Sequence, residues 1–192
     1  EQAEVPGADG QPCWAGINTA LPNRLIRATI EAGCLSEQLG AIGSIRAEVA
    51  YGTNNRSRID LLLTPATSNP DQRLIYLEVK NTTWTKGTTA LFPDTVTERG
   101  QKHLVELMGV LPGARAVLVP SLSRPDVMDF APGDTADPRY GSLFRDAQQA
   151  GVEILPCCFR YEKNKISWQG LRPVKEISNC VSTGTDLSLI HI

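Results

Sequence analysis

The fold follows from two runs of alternating residues, Ser57-Arg58-Ile59-Asp60-Leu61-Leu62-Leu63 and Ile75-Tyr76-Leu77-Glu78-Val79-Lys80. In both runs, aliphatic side chains recur at every second position, which is typical of a β-strand with one face on a core. Because residues two apart point the same way, Glu78 and Lys80 share the opposite face of the second strand. If the two strands are neighbours, we expect Asp60 to meet Glu78 on that face.

The sequence on either side predicts an alternation of further helices and strands. The predicted elements are a strand at 13–17, a helix at 22–32 ended by Gly33, a strand at 45–51, a helix opened by the capping-box pair Thr95 and Glu98 and ended by Pro112-Gly113, a strand at 114–119, a helix with Asp137 as N-cap and Gly151 at its end, and a strand at 152–156. From the helix at 22–32 onward, the order is helix, three strands, helix, strand, helix, strand. This order predicts an α/β fold, with a mixed sheet flanked by helices.

Composition restricts the possible classes of protein. The chain has 192 residues and a formal net charge of −2, which disfavours wholesale electrostatic binding of nucleic acid but leaves room for a local basic patch. We see neither a membrane-spanning run nor a secretory signal in the sequence. Its five cysteines include no Cys-x-x-Cys pair, so we expect no zinc site and a cytoplasmic location.

Asp60, Glu78 and Lys80 are the candidate catalytic residues. Mg²⁺ and Mn²⁺ prefer hard oxygen ligands, which Asp60, Glu78 and the backbone carbonyl of Val79 can supply. A bound metal lowers the pKa of a water molecule, and Lys80 can orient that water and stabilise developing negative charge. The spacing of these three residues is by itself weak evidence for a metal site, because a solvent-facing row of charged side chains on strands gives the same sequence pattern.

Several longer motifs strengthen the interpretation, because together they resemble the sugar fermentation stimulation protein A family. They are Arg58-Ile59-Asp60, Leu77-Glu78-Val79-Lys80-Asn81, the block from Phe92-Pro93-Asp94 to Lys102-His103-Leu104, Arg124-Pro125-Asp126, Phe130-Ala131-Pro132, Asp137-Pro138-x-Tyr140 and Gly151-Val152-Glu153-Ile154. The resemblance extends over roughly residues 18–155. Asp60, Glu78 and Lys80 match the family positions of the triad.

The resemblance implies a fold, a domain plan and a function. Proteins of that family look like an N-terminal OB-type barrel followed by a restriction-endonuclease-like PD-(D/E)XK domain. Residues 1–18 are then the remnant of the barrel and 19–177 the nuclease-like domain. We expect 178–192 to be a non-native tail, since the final hexapeptide resembles translated adapter sequence. The family is described as DNA-binding and linked to regulation of sugar (maltose) metabolism.

Three functions are compatible with these residues. The first is a metal-dependent nuclease acting on DNA or RNA, and the second is a DNA-binding regulator whose site binds metal or phosphate without turnover. The third is a scaffold whose carboxylates pair with Arg and Lys and bind nothing. The expected partner is nucleic acid, DNA in the first place, with no membrane association.

Basic and polar residues near the triad are candidate contacts to nucleic acid. Those that could bind phosphate or a nucleotide are Arg56, Arg58, Arg99, Gln101 and Lys102. Four further residues have competing roles: Glu98 (helix cap or metal ligand), His103 (interior hydrogen bonding or catalytic base), Trp84 (loop packing or base stacking) and Glu48 (strand residue that could face the site). For Glu98 and His103 we favour the structural role.

Overall fold

The structure of the chain is a computed structural model. It describes residues 2–8, 10–52, 54, 56–163 and 165–175. The predicted tail, 178–192, lies outside these residues.

The described residues form strands and helices in the following order. The strands are β1 (Gln2–Pro6), β2 (Pro12–Gly16), β3 (Ile42–Tyr51), β4 (Ser57–Pro65), β5 (Ile75–Thr82), β6 (Thr85–Lys86), β7 (Thr89–Phe92), β8 (Arg115–Leu122), β9 (Asp129–Pro132), β10 (Glu153–Ile154), β11 (Cys157–Glu162) and β12 (Lys165–Leu171). The helices are α1 (Leu21–Glu31), α2 (Ser36–Leu39), α3 (Glu98–Val110) and α4 (Pro138–Ala150). None of these helices is both long and apolar enough to cross a membrane.

The main sheet is mixed, as predicted. Its strand order is β12-β11-β8-β5-β4-β3, with β10 beside β8. The β3-β4-β5 part is antiparallel, whereas β8 runs parallel to β5 and to β11. α3 lies in the crossover from β5 to β8, and such a crossover is what parallel neighbours require. The α/β fold class is confirmed.

Both faces of the central strands are buried, which corrects the expectation of one core face and one polar face. One hydrophobic cluster holds Leu118 and Ile59 with residues of α3 and α4. The other holds Leu77 and Val119 with residues of α1. Parallel strands carry crossover helices on both faces, so their side chains are buried on both sides. Glu78 therefore lies in an interior rather than on a solvated face.

The helix ends show what local sequence predicts well and where it fails. Asp137 is the N-cap of α4, accepting from the amide of Tyr140 at 2.9 Å, and Gly151 ends the helix in the left-handed region, so both predictions are confirmed. The capping box with Thr95 was wrong, because Thr97 caps α3 by accepting from the amide of Gly100 at 3.1 Å. Glu98 is consequently the first helical residue.

Other parts of the structure differ from the prediction. The strand at 152–156 is only β10 (Glu153–Ile154), and β1, α2, the hairpin β11–β12 and the small sheet β6-β7-β9 were not predicted. The strand at 13–17 is found as β2, which pairs with β1. This hairpin docks on the core, since Arg124 donates to the carbonyl of Pro6 at 2.9 Å. That residues 1–18 are a barrel remnant stays a prediction.

Candidate metal centre and basic cleft

Asp60 lies where β4 and β5 separate. Among the described residues the ladder between these strands runs from Leu63↔Ile75 to Leu61↔Leu77. Asp60 is the next residue of β4 beyond this ladder, and its carboxylate accepts a hydrogen bond from the Val79 amide at 2.7 Å. The carboxylate thus pairs with an amide that would otherwise bind a carbonyl of the neighbouring strand. Its other oxygen accepts from Nδ2 of Asn23, on α1, at 2.8 Å. The carboxylate is therefore fixed from two elements.

The neighbouring strand is irregular at the same level. Glu48 lies between the pairs Ala47↔Leu61 and Val49↔Ile59, with a φ of 53° in the left-handed region. Its side chain is exposed, and its carbonyl accepts from Arg58 at 2.9 Å. Glu48 is thus an exposed residue at an irregularity of β3, and it is not among the residues that line the cleft described below.

Glu78 is the most deeply buried member of the site, at 2% exposure. Its Oε1 accepts from the Lys80 ammonium at 2.7 Å and also contacts Nδ1 of His103, on α3. Its Oε2 is buried and has no hydrogen-bond partner within the described part of the chain. Buried polar atoms are nearly always satisfied, so an open carboxylate oxygen here requires an explanation.

His103 has two competing partners. Its Nδ1 lies 3.1 Å from the Lys80 ammonium as well as next to Glu78. One ring nitrogen cannot donate a proton to Glu78 and offer a lone pair to Lys80 at the same time, so the two hydrogen bonds are alternatives. The buried, hydrogen-bonded role predicted for His103 is the one that the structure shows.

The two carboxylates have pKa values shifted in opposite directions. Burial, and then the charge of Glu78, raise the pKa of Asp60 despite the hydrogen bonds from Val79 and Asn23. Burial would also raise the pKa of Glu78, but the hydrogen bond from His103 and the charge of Lys80 outweigh it and lower that pKa. Since the charge of Glu78 acts on Asp60, the two groups share one electrostatic environment.

A cleft of about 600 Å³ adjoins this centre, and His103 belongs to both. The lining residues are Arg56, Ser57 and Arg58, together with Glu98, Arg99, Lys102 and His103 of α3. Four of the five predicted nucleic-acid contacts, Arg56, Arg58, Arg99 and Lys102, are therefore brought together. The cleft has the positive side chains that phosphate requires.

Gln101 is not among the cleft-lining residues. Its amide donates to both carboxylate oxygens of Asp137, at 3.1 Å and 2.9 Å. The amide of Thr97 donates to the same carboxylate at 2.9 Å. Gln101 thus connects the start of α3 to the start of α4.

The remaining candidates are placed as follows. Glu98 lines the cleft as the first residue of α3. Trp84 is half-buried and packs beside Gly133, where a β-carbon would stand 3.0 Å from Cζ3 of the indole. This contact matches the loop-packing alternative. The Val79 amide is used by Asp60, and a ligand role for the Val79 carbonyl stays a prediction.

Sequence reasoning missed three residues around the centre. Asn23 holds Asp60, Glu106 accepts from Ser57 Oγ at 2.7 Å, and Tyr51 packs on Tyr76 with ring centroids 5.7 Å apart. Burial and the charges of Glu78, Glu106 and Asp60 raise the pKa of Tyr51. Only Glu106 had a sequence signal, because it lies three residues after His103 on the same helix face.

Comparisons with known proteins agree on one family. The family model described as "Sugar fermentation stimulation protein RE domain" matches residues 20–165. The sugar fermentation stimulation protein homolog of Synechococcus sp. (strain CC9902) is 89% identical over 179 residues, which are 93% of this chain and 72% of the relative. The homolog of Parasynechococcus marenigrum (strain WH8102) is 80% identical over 177 residues, which are 92% of this chain and 70% of the relative.

A solved structure resembles the chain over most of its length. It is described as the structure of Pyrococcus furiosus SfsA in complex with Ca²⁺. The TM-score is 0.76 at 28% sequence identity, and the match covers 91% of this chain and 78% of the other.

Proposed function

This chain belongs to the sugar fermentation stimulation protein family, and on that premise we propose that it binds nucleic acid, DNA in the first place, at a metal-dependent nuclease-type site. The reaction proposed for this site is phosphodiester hydrolysis. The observation that carries the proposal is the unpartnered, buried Oε2 of Glu78 beside Asp60, next to a cleft lined by basic side chains.

The residues present fit a divalent cation. Glu78 offers a free carboxylate oxygen, and each Asp60 oxygen has one hydrogen bond and so keeps lone-pair capacity. The described residues offer no third His, Cys, Asp or Glu side chain to such a group. Asp60 and Glu78 would hold Mg²⁺ or Mn²⁺ as two carboxylate ligands, and the Val79 carbonyl and solvent would complete the oxygen shell. The related P. furiosus protein was solved with Ca²⁺, a cation of the same hard-oxygen preference.

A cation bound there supplies a Lewis acid and lowers the pKa of a water molecule. The protein's own residues hold the two carboxylates in place and supply positive charge. Asn23 and the Val79 amide fix the Asp60 carboxylate, and His103 holds Glu78 from the helix side. Lys80 places a positive charge where negative charge develops on phosphate.

The basic cleft would bind the phosphate backbone. Arg56 and Arg58 come from the start of β4, and Arg99 and Lys102 from α3, so the two pairs face one cleft from two elements. Contacts of this kind position the substrate without reading its bases. A strong dependence of affinity on salt is the expected signature.

A second candidate is a nucleic-acid-binding regulator of sugar (maltose) metabolism that does not turn over its ligand. The observation that favours it is the Lys80 ammonium, which is hydrogen-bonded to Glu78 and adjacent to His103. In that arrangement the positive charge of Lys80 is paired with Glu78 inside the protein rather than directed at a phosphate. The two candidates differ in whether a bound phosphodiester is cleaved.

We further propose a cytoplasmic location. The four cysteines in the described residues are free, and Cys157 and Cys158 are buried. Adjacent buried thiols that stay reduced are typical of a reducing compartment.

The test is a cleavage assay on the chain as printed. Labelled single- and double-stranded DNA and RNA are incubated with Mg²⁺, Mn²⁺ or EDTA, for wild type and for Asp60→Asn. Asp146→Asn is the matched control, because Asp146 is an exposed residue of α4. Metal-dependent cleavage that Asp60→Asn alone removes supports the nuclease. Salt-dependent binding without cleavage supports the regulator, and absence of both refutes the two proposals.

A further inference from the structure

Glu106 connects the two elements that line the basic cleft. Its Oε1 accepts from the Ser57 hydroxyl at 2.7 Å, and the Lys102 ammonium lies 3.6 Å from the same oxygen. Ser57 stands between Arg56 and Arg58 in the sequence, and Lys102 is one turn before Glu106 on α3. One carboxylate oxygen therefore contacts both sides of the cleft.

The chain approaches this carboxylate closely at Gly52. A β-carbon at Gly52 would stand 2.6 Å from Oε1 of Glu106, and the φ of Gly52 is +73°. Glycine adopts that conformation without the strain that a β-carbon adds, and it leaves room for the Glu106 carboxylate. Since Tyr51 pairs with Ser57 across the β3–β4 ladder, Gly52 and Ser57 are at the same end of the hairpin.

Glu106 differs from an ordinary surface acid. Its side chain is 10% exposed, and its Oε2 is buried without a hydrogen-bond partner in the described structure. The Lys102 side chain, in contrast, is 52% exposed. A charge that is mostly withdrawn from water is maintained only where its contacts compensate.

We infer that Glu106 is a positioning residue that fixes a basic arm, made of Gly52, Arg56, Ser57 and Arg58, against α3. It sets the spacing between the arm's arginines and the Arg99–Lys102 side of the cleft, and thereby the register in which a nucleic-acid backbone is held. This inference rests on the proposed function, because it assigns the cleft to phosphate.

The inference makes a prediction of opposite sign to simple electrostatics. Glu106 is an acid beside a cleft that binds anions, so removing its charge alone would strengthen binding. If Glu106 positions the arm, removing it weakens binding, because Ser57 is no longer tied to α3 and the arm's arginines lose their spacing from Arg99 and Lys102. Loss of both phosphate contacts lowers the slope of log affinity against log salt by about 1.4 to 1.8.

The experiment measures affinity for a labelled DNA of about 20 nucleotides, single- and double-stranded, over a salt series. The variants are Glu106→Ala, Glu106→Gln and Ser57→Ala, with Glu37→Ala as matched control because Glu37 is exposed on α2 and is not among the cleft-lining residues. We expect Glu106→Ala to bind about tenfold more weakly with the lower salt slope, and Ser57→Ala to shift the same way. Glu106→Gln keeps a hydrogen-bond acceptor for Ser57 and should recover most of the affinity.

Deuterium uptake in peptides covering residues 52–58 is measured in parallel, without nucleic acid. Faster uptake in Glu106→Ala and Ser57→Ala than in Glu37→Ala supports the positioning role, and unchanged uptake overturns it. Equal or tighter binding by Glu106→Ala also overturns it. If wild type itself binds no nucleic acid while uptake still rises, the proposed function fails and the anchoring of the arm stands. Ser57→Ala keeps the test valid if Glu106→Ala does not fold.

Discussion

The β4–β5 ladder has charged side chains beside each of its two ends, Arg115 beside the Ile75 end and Glu78 beside the Leu77 end, and they are satisfied in different ways. At one end, Arg115 donates to both oxygens of Glu153 at 2.8 Å and also to the carbonyls of Gln38 and Leu39. At the other end, Glu78 is held by Lys80 and His103 through one oxygen only, and the second stays open. Both oxygens of Glu153 are satisfied, as in a structural contact, whereas the buried Oε2 of Glu78 has capacity left for a ligand.

The comparison is tested most strongly by one neutral substitution at each end. Glu78→Gln removes the open carboxylate oxygen, so we expect metal-dependent cleavage to fall by at least about 100-fold. Glu153→Gln is the matched control and should keep cleavage. Comparable activity losses in the two variants would show that the ends do not differ in function.

The next effect is on stability and is expected at the opposite end. Arg115→Ala leaves Glu153 and the carbonyl of Gln38 without this donor, whereas the carbonyl of Leu39 keeps its hydrogen bond from Asn69. The free energy of unfolding should therefore fall by about 1.5–3 kcal/mol. Urea denaturation measures this change. The increase in melting temperature that Mn²⁺ gives should be the same as in wild type. A lost metal response would mean that the two ends are coupled.

A smaller effect is expected from Asn23, which donates a hydrogen bond to Asp60 at 2.8 Å. Asn23→Ala frees one oxygen of Asp60 from its fixed orientation, so metal affinity should drop by about tenfold. Titration calorimetry with Mn²⁺ measures it. Arg24→Ala, an exposed neighbour on α1, should leave the affinity unchanged.

The smallest effect concerns pH. The pKa of Asp60 is raised, chiefly by burial, so the folded state binds its proton more readily than the unfolded state does. Stability from this group is therefore present below the ordinary aspartate range and is lost as pH rises through the folded pKa. Asp60→Asn cannot titrate, so its stability relative to wild type should increase from acid to neutral pH in metal-free buffer. A pH-independent difference in urea melts would contradict the assignment.

Glu78 has the opposite linkage. Its pKa is lowered, although burial alone would raise it, because the hydrogen bond from His103 and the charge of Lys80 favour the ionised form. Its contribution is therefore present above the ordinary glutamate range and is lost as pH falls through the folded pKa. The two carboxylates thus make opposing contributions to the pH dependence of stability.

Local sequence correctly predicted the elements whose formation depends on residues close together in the chain. The alternation around Asp60 and Glu78 predicted β4 and β5, and Asp137 with Gly151 predicted the ends of α4. The prediction of the N-cap of α3 was wrong because a residue distant in the sequence determines which threonine caps the helix. The Asp137 carboxylate binds the amide of Thr97, a contact 40 residues away in the sequence, and this fixes Thr97 rather than Thr95 at the start of the helix.

The candidate site was accessible from sequence only in part. The spacing of Asp60, Glu78 and Lys80 identified strand residues that share an environment. The orientation of Asn23 and the burial of Glu78 against His103 depend on how α1 and α3 cover the two faces of the sheet. Periodicity in one strand carries no information on such packing.

The left-handed backbone at Glu48 bears on how the protein behaves in a crowded solution. β3 is the outermost strand at one side of the main sheet, and a free strand edge is a template for association with other chains. A residue with a φ of 53° in the middle of that strand, carrying an exposed charge, interrupts the regular edge over which another strand would have to pair. The irregularity beside the candidate metal centre therefore also makes this edge a poor template for association, so replacing Glu48 by an apolar β-former should lower solubility before it alters the candidate site.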